Sequence, residues 1–375
     1  MKISSLIERL EAWVPPDLAE SWDASGLQVG NPDNDAKAVF LCLDISEATL
    51  NEAIEAGANL VLSHHPMLFS PLKTVDVRTG VGRLIHTCLT YDLTVYSLHT
   101  NLDKAAEGMN DEVAQRLGIG ELEVLIPSQQ PGETYYKLVT FVPEEERESL
   151  LKALFEAGGG RIGAYEGCSF STPGEGTFFA GEETSPVVGE KGVWNRVPEV
   201  RIEVLFPAAN LERGIAALVT SHPYEEPAYD IYPLHTPPTR VGFGRVGTYD
   251  PPLPWESFLA RVREGLGIDD FRIVGDPVEE VSRVAVCTGS GASFISQAAR
   301  HAQVYVTGDV KFHEAQEAEA LRLSVIDAGH FALERIFVDV MDRWFEREGL
   351  KAELKVYKST EEKDPFIFFH KGEDL

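Results

Sequence analysis

Short apolar runs alternate with amphipathic segments along the first and last thirds of the chain, and a different rhythm separates them. "AVFLCLDI" (38–45), "NLVLSHHP" (59–66) and "LTVYSLHTNLD" (93–103) read as strands. The segments that follow them, "EATLNEAIEAG" (47–57), "GVGRLIHTCL" (80–89) and "NDEVAQRLG" (110–118), space their apolar residues as helices do. The last third repeats the scheme with strands over "RVAVCTGS" (283–290), "AQVYVTGD" (302–309) and "LSVIDAGH" (323–330), each feeding a helix. The last of these helices, within "GHFALERIFVDVMDRWF", is strongly apolar on one side through Phe331, Ile336, Phe337, Val340, Met341 and Trp344. Strands alternating with helices predict α/β units around a mostly parallel sheet.

From about Gly132 the order changes. "YYKLVTFVP" reads as a strand, "EEERESLLKALFEAG" as a helix and "SFSTPGEGTFFAGEE" as a hairpin-like region. "VRIEVLFP" (200–207), a helix over 209–223 and a strand near "YDIYPL" complete it. That succession predicts a ferredoxin-like α+β insert. Prolines 237, 238, 251, 252 and 254 mark the return to the main fold. The expected organisation is a two-part α/β domain, residues 1–128 and 241–375, interrupted by an insert over 129–240.

Composition narrows the class. The chain has 375 residues, 43% hydrophobic and 25% charged, the balance of a globular protein with a sizeable core. Its net charge of −27 repels a phosphate backbone and argues against broad nucleic-acid binding. Cys42, Cys88, Cys168 and Cys287 are scattered and form neither a disulfide framework nor a zinc knuckle. The start lacks the apolar stretch of a signal peptide, and no apolar run reaches bilayer length. A cytoplasmic protein without a membrane segment is expected.

The chemistry gathers where strands end. His64 and His65 end one predicted strand, Asp103 a second, Asp309 a third and His330 a fourth; Glu334 follows His330 by four residues, on the same helix face. Open α/β sheets bind ligands at the carboxyl ends of their strands. Singly these features are weak: a His-His pair can be a hydrogen-bonded loop, His-x-x-x-Glu a surface pair, Asp103 a helix cap. Together, His64, His65, Asp103, His330 and Glu334 offer enough donors for two divalent ions. Imidazole and carboxylate without thiolate suit zinc, iron, manganese, cobalt or nickel. His99, four residues before Asp103, is either a partner or proton carrier beside the metals or a strand histidine bonded to backbone. Asp309 and His313 invite the same question, with a helix cap as the other reading of Asp309. "TGSGASF" (288–294) could hold a phosphate or could simply be a tight turn, and Lys104, Lys311 and Arg335 are the nearest cations in sequence. "SHPYEEPAYD" (221–230) is either a ligand loop or a Pro-bounded turn.

"SHHP", "HTNLD", "TGDVKFHEA" and "DAGHFALE", in that order, resemble the motifs of the NIF-three-like proteins, also called the GTP cyclohydrolase 1 type 2 family. "ESWDASGLQVG" near the start and "DPFIFF" near the end match the same style, although Ala24 stands where many members have Asn. The resemblance spans essentially the whole chain. It implies a dinuclear centre on His64, His65, Asp103, His330 and Glu334, with the paired histidines on different metals and Glu334 bridging. It also implies that the insert is PII-like and that the protein assembles as trimer-based rings, typically hexamers. Two functions follow as expectations. One is a metal-dependent hydrolase acting on a nucleotide or related small molecule through an activated water. The other is a non-catalytic metal-binding or regulatory assembly with the insert as sensor or scaffold.

Overall fold

A computed structural model describes residues 1–128, 135–162, 165–234 and 241–367. The insert boundaries at 129 and 240, Pro237 and Pro238, and the last two residues of "DPFIFF" lie outside the described residues. The chain divides into two compact units, Met1–Ser128 with Pro238–Leu375, and Gln129–Pro237.

The first unit is a mixed α/β structure with two sheets rather than one mostly parallel sheet. The first sheet runs Gly26–Val29, Thr94–Ser97, Leu60–Ser63, Ala38–Cys42, Lys355–Lys358; three of its pairings are parallel and only that of the Gly26–Val29 edge is antiparallel. The second runs Arg272–Val274, Ser324–Asp327, Val304–Thr307, Glu280–Val286, Gly242–Pro254, Gly120–Pro127. There only the pairings among Glu280–Val286, Val304–Thr307 and Ser324–Asp327 are parallel. Three antiparallel pairings, through Arg272–Val274, Gly242–Pro254 and Gly120–Pro127, correct the expected parallel character. These strands carry no βα rhythm of their own, so periodicity assigned them no place.

Ala38–Cys42, Leu60–Ser63, Thr94–Ser97, Val304–Thr307 and Ser324–Asp327 are buried along their whole length, Glu280–Val286 over its last three residues, and alternate residues of these strands feed two cores. Leu41, Leu62 and Tyr96 of the first sheet and Val286, Val306 and Ile326 of the second share one core with Leu102, Met109, Phe258, Phe337 and Trp344. The opposite faces pack separately: Phe40, Val61 and Val95 on Leu50, Ala53 and Cys88, and Ala285, Tyr305 and Val325 on Ile295, Ala298 and Ala318. The helices start where local chemistry allows. Ser46 and Thr49 form a reciprocal capping box for Glu47–Glu55, and the Thr79 side chain accepts from Gly82 N at the start of Gly80–Thr90. The two half-sheets are laid out alike, so the carboxyl ends of both parallel triplets deliver residues to one site.

Two local expectations are corrected. Asp103 does not lie on a strand: the strand stops at Ser97, and Asp103 sits in the short helix Thr100–Lys104. The apolar segment after Gly329 is two helices, His330–Glu334 and Phe337–Arg347.

In the second unit, four strands pair antiparallel in the order Ser169–Phe179, Trp194–Pro207, Tyr135–Val142, Tyr229–Pro233. Helices Arg147–Glu156 and Ala208–Ser221 share a core with that sheet through Leu150, Leu154, Leu218, Ile202 and Phe206. Because His64, His65, Asp103, His330 and Glu334 all belong to the first unit, removing Gln129–Pro237 behind a short linker is expected to leave metal binding within about threefold of the intact chain. Elemental analysis of the folded remainder checks this; loss of metal without loss of structure would show that the insert supports the site.

Candidate metal centre

The five sequence-predicted donors meet in one place. His64 and His65 follow Leu60–Ser63, Asp103 stands one turn into Thr100–Lys104, and His330 and Glu334 begin and end their own short helix. His64 is fully buried, as nearly are Asp103 and Glu334. His64 Nε2 lies 3.8 Å from Asp103 Oδ1 and 3.7 Å from Glu334 Oε1, too far for hydrogen bonds. Among the described residues it has no hydrogen-bond partner. On the other side of Glu334, its Oε2 is 2.8 Å from His65 Nε2 and 2.7 Å from His330 Nε2. The potential ligand atoms of His64, Asp103 and Glu334 form one group within 4.8 Å, and those of His65, His330 and Glu334 a second. The Glu334 carboxylate belongs to both.

A second layer aims these imidazoles. His65 Nδ1 is 2.8 Å from Asp44 Oδ1, His330 Nδ1 2.8 Å from Asp309 Oδ2, and His64 Nδ1 2.7 Å from the Leu98 carbonyl. An acceptor on Nδ1 fixes the proton there and leaves Nε2 with a lone pair for a metal. His99 repeats the arrangement: its Nδ1 is 2.8 Å from Asp23 Oδ1, and its potential ligand atoms fall within 4.8 Å of those of His64 and His65. The reading of His99 as a backbone-bonded strand histidine is thereby set aside. Asp309 caps no helix; it holds His330, while Lys311 occupies the cap position of Phe312–Ala320. Thr288 Oγ1 donates to Asp103 Oδ1 at 2.9 Å, and the Asn110 side-chain oxygen accepts from Thr288 N.

Burial and the neighbouring charges of the cluster shift each of these groups. Burial pushes the Glu334 carboxyl up, yet His64, His330 and His65 together hold it well below the ordinary range. Burial dominates at Asp103 and, with Glu334 nearby, raises it despite His64 and His99. Burial opposes the charged form of His65 and His330, but the carboxylates of Asp44, Glu334 and Asp309 lift them to about 10 and about 9. Asp23 is held low against its burial by hydrogen bonds from His99, Thr100 and Ser25.

Several other candidates do not join the site. His313 is exposed and 3.3 Å from the Gln316 side chain. Lys104 is buried against Glu20, Lys311 is exposed, and Arg335 is exposed with its guanidinium against Gly267. "TGSGASF" serves the centre sterically: Gly289 has φ +59°, and a Cβ there would meet Glu334 Oε1 at 2.0 Å. In the second unit, His222 of "SHPYEEPAYD" bonds the Phe141 carbonyl and Tyr224 N, while Tyr224, Glu225, Glu226 and Ala228 border a cavity of about 870 Å³. Asp44 went unrecognised in the sequence, although an acid just past a predicted strand at the ligand-bearing edge is its signal.

A family model, Duf34/NIF3 (NGG1p interacting factor 3), matches residues 1–365. The chain belongs to that family. A GTP cyclohydrolase 1 type 2 homolog of Halalkalibacterium halodurans is 37% identical over 374 residues, covering 98% of this chain and 100% of the relative. One from Bacillus subtilis is 39% identical over 366 residues, 97% of each. Among solved structures, a Bacillus cereus protein related to NIF3 superposes with TM-score 0.74 at 37% identity, covering 98% of this chain and 99% of that one. A Staphylococcus aureus protein gives 0.82 at 30% identity over the same shares. This Duf34/NIF3 chain has no helix among its described residues long and apolar enough to cross a membrane.

Proposed function

We propose that the site holds two divalent metal ions and makes the protein a metal-dependent hydrolase of a nucleotide-related or heterocyclic small molecule. One observation carries the reading: His64 Nε2 is buried without a hydrogen-bond partner among the described residues and faces Asp103 and Glu334 oxygens at 3.8 and 3.7 Å. An unpaired buried ring nitrogen costs about 1–3 kcal/mol, which a shared ion offsets. His64, Asp103 and Glu334 would hold one ion, and His65, His330 and Glu334 the other. Both sets combine imidazole with carboxylate, which suits zinc, iron, manganese, cobalt or nickel. When bound, such a pair supplies Lewis acidity and an activated water at neutral pH.

The remaining residues prepare that chemistry. Asp44 and Asp309 orient the imidazoles, and Glu334 sets the spacing of the two positions. His99, held by Asp23, has a ring nitrogen within 4.8 Å of ligand atoms of His64 and His65, where it can orient a substrate group or carry a proton. The name shared by the curated relatives, GTP cyclohydrolase 1 type 2 homolog, supports a nucleotide-related substrate. The second unit's strand order supports a ferredoxin-like, PII-like module, and we assign it the assembly of a trimer-based ring, a hexamer, in the cytoplasm.

The test is an unbiased metabolite screen of metal-loaded protein, read by mass spectrometry, with chelator-treated protein and a His64→Ala, His330→Ala double variant alongside. Turnover of one compound class by the loaded wild type alone is expected, with at least about a 100-fold fall in both controls. Turnover that survives chelation would refute the hydrolase reading. A compound bound tightly but never converted would favour the regulatory one.

A further inference from the structure

Two large aromatic side chains stand in solvent beside the metal centre. Trp22 is 63% exposed and Phe69 55%. Both rings meet His99 edge-on, with centroids 6.2 and 5.9 Å away. The His99 ring in turn lies 5.3 Å from His64 and 5.6 Å from His65. The two aromatics are therefore one ring removed from the donors.

Their backbones are fixed. Thr100 Oγ1 accepts from Glu20 N at 2.9 Å, and the Asp23 carboxylate accepts from Thr100 N, Thr100 Oγ1 and Ser25 Oγ, so Trp22 is tied down on both sides. Leu68 N donates to Gln28 Oε1 at 3.1 Å, just before Phe69. Two large aromatic side chains left in water against the same ring make a candidate binding feature.

Trp22, Asp23 and Phe69 also line a cavity of about 540 Å³, completed chiefly by Leu68, Leu72, Val75 and Ile85. That volume admits a fused-ring compound. Two polar side chains in the wall are already engaged, Asp23 by His99, Thr100 and Ser25, and Gln28 by the Ala24 and Gly26 carbonyls and Leu68 N. No Lys or Arg lines it among the described residues. Around the donors, the five carboxylates of Asp23, Asp44, Asp103, Asp309 and Glu334 exceed by one the charge that two divalent ions supply. Such surroundings hold a flat, weakly charged ring better than a polyphosphate.

We propose that Trp22 and Phe69 are the substrate-positioning wall of this centre, and that the substrate is a flat heteroaromatic compound recognised by its ring rather than by a phosphate chain. The assignment rests on the small-molecule reading of the site, but binding is separable from turnover. Stacking on Trp22 would fix the ring plane and bring its edge past His99 to the metals.

The experiment is calorimetric titration of the metal-loaded full chain with guanosine, GTP and ribose 5-phosphate, for wild type, Trp22→Ala, Phe69→Ala and Trp22→Phe. Metal content and light scattering are recorded for each protein. Guanosine is expected to bind wild type within about threefold of GTP, and about tenfold more weakly to either alanine variant, equivalent to about 1.4 kcal/mol. Trp22→Phe restores most of the loss, and metal content stays level. Four results would overturn the wall: no guanosine binding to wild type, alanine variants that bind as wild type, ribose 5-phosphate binding as well as GTP, or alanine variants whose only change is a smaller assembly. Guanosine bound through Trp22 but converted by no preparation would leave the wall standing and remove the hydrolase reading. Conversion unaffected by Trp22→Ala would do the reverse.

Discussion

Glu334→Gln is expected to empty both metal positions at once, whereas a change at any other donor empties one. The carboxylate is shared: Oε1 faces His64, and Oε2 faces His65 and His330. Gln keeps the shape but removes the charge and one acceptor, so neither set of donors retains its anionic bridge. By contrast, Asp44→Ala disturbs only the acceptor on His65 Nδ1. It should weaken one position by roughly 10–100-fold, the usual cost of losing an outer partner. Elemental analysis after dialysis against a weak chelator separates the cases: about two ions per chain for wild type, about one for Asp44→Ala and nearly none for Glu334→Gln. Because His64, His330 and His65 hold Glu334 in its charged form, the variant should also lose some stability, and its circular dichroism is recorded beside the metal count. Equal metal in wild type and Glu334→Gln would end the bridging assignment.

The grouping of these five side chains was legible because of where they stand in the pattern. "NLVLSHHP" ends a continuous apolar run in two histidines, and "GHFALE" puts His330 and Glu334 one helical turn apart. Both are local signals that need no tertiary knowledge. Asp103 was found for a partly mistaken reason. It was read as a strand end, but it occupies the first turn of a helix, where HTNLD repeats the His-x-x-x-acid spacing of HFALE. The split into two sheets was not legible. Gly120–Pro127 and Gly242–Pro254 pair with each other although the whole insert separates them in sequence. A pairing that long leaves no trace in periodicity. Asp44 and Asp23 escaped for a related reason. Their roles exist only through His65 and His99, 21 and 76 residues away. Trp22 stands inside "ESWDASGLQVG", but nothing in the sequence shows that its side chain and that of Phe69 are exposed.

Stripping the metals should reverse the pH dependence of stability. Without a cation, burial disfavours the charged imidazoles, but Asp44 and Glu334 lift His65 to about 10, and Glu334 and Asp309 lift His330 to about 9. Both values exceed the ordinary 6.5, so between those limits the folded chain binds more protons than the unfolded one. The sign follows from linkage: their contribution is complete below about pH 6.5 and is lost as pH rises through about 9–10. Glu334 works from the other end, since its folded carboxyl is held low and its contribution fades as pH falls from its unfolded range. The chelated protein should therefore melt highest between about pH 4.5 and 6.5 and progressively lower toward pH 10. Metal ligation needs neutral imidazole, so loading at about pH 8 should expel protons, one each from His65 and His330, and its stabilisation should grow as pH rises. Thermal scans with and without chelator, together with proton release followed by a weakly buffered indicator dye, measure both effects. His65→Ala should flatten the alkaline slope of the chelated protein. A chelated protein that melts alike at pH 6 and pH 9, or metal uptake without proton release, would mean that these imidazoles are already neutral before the metal arrives.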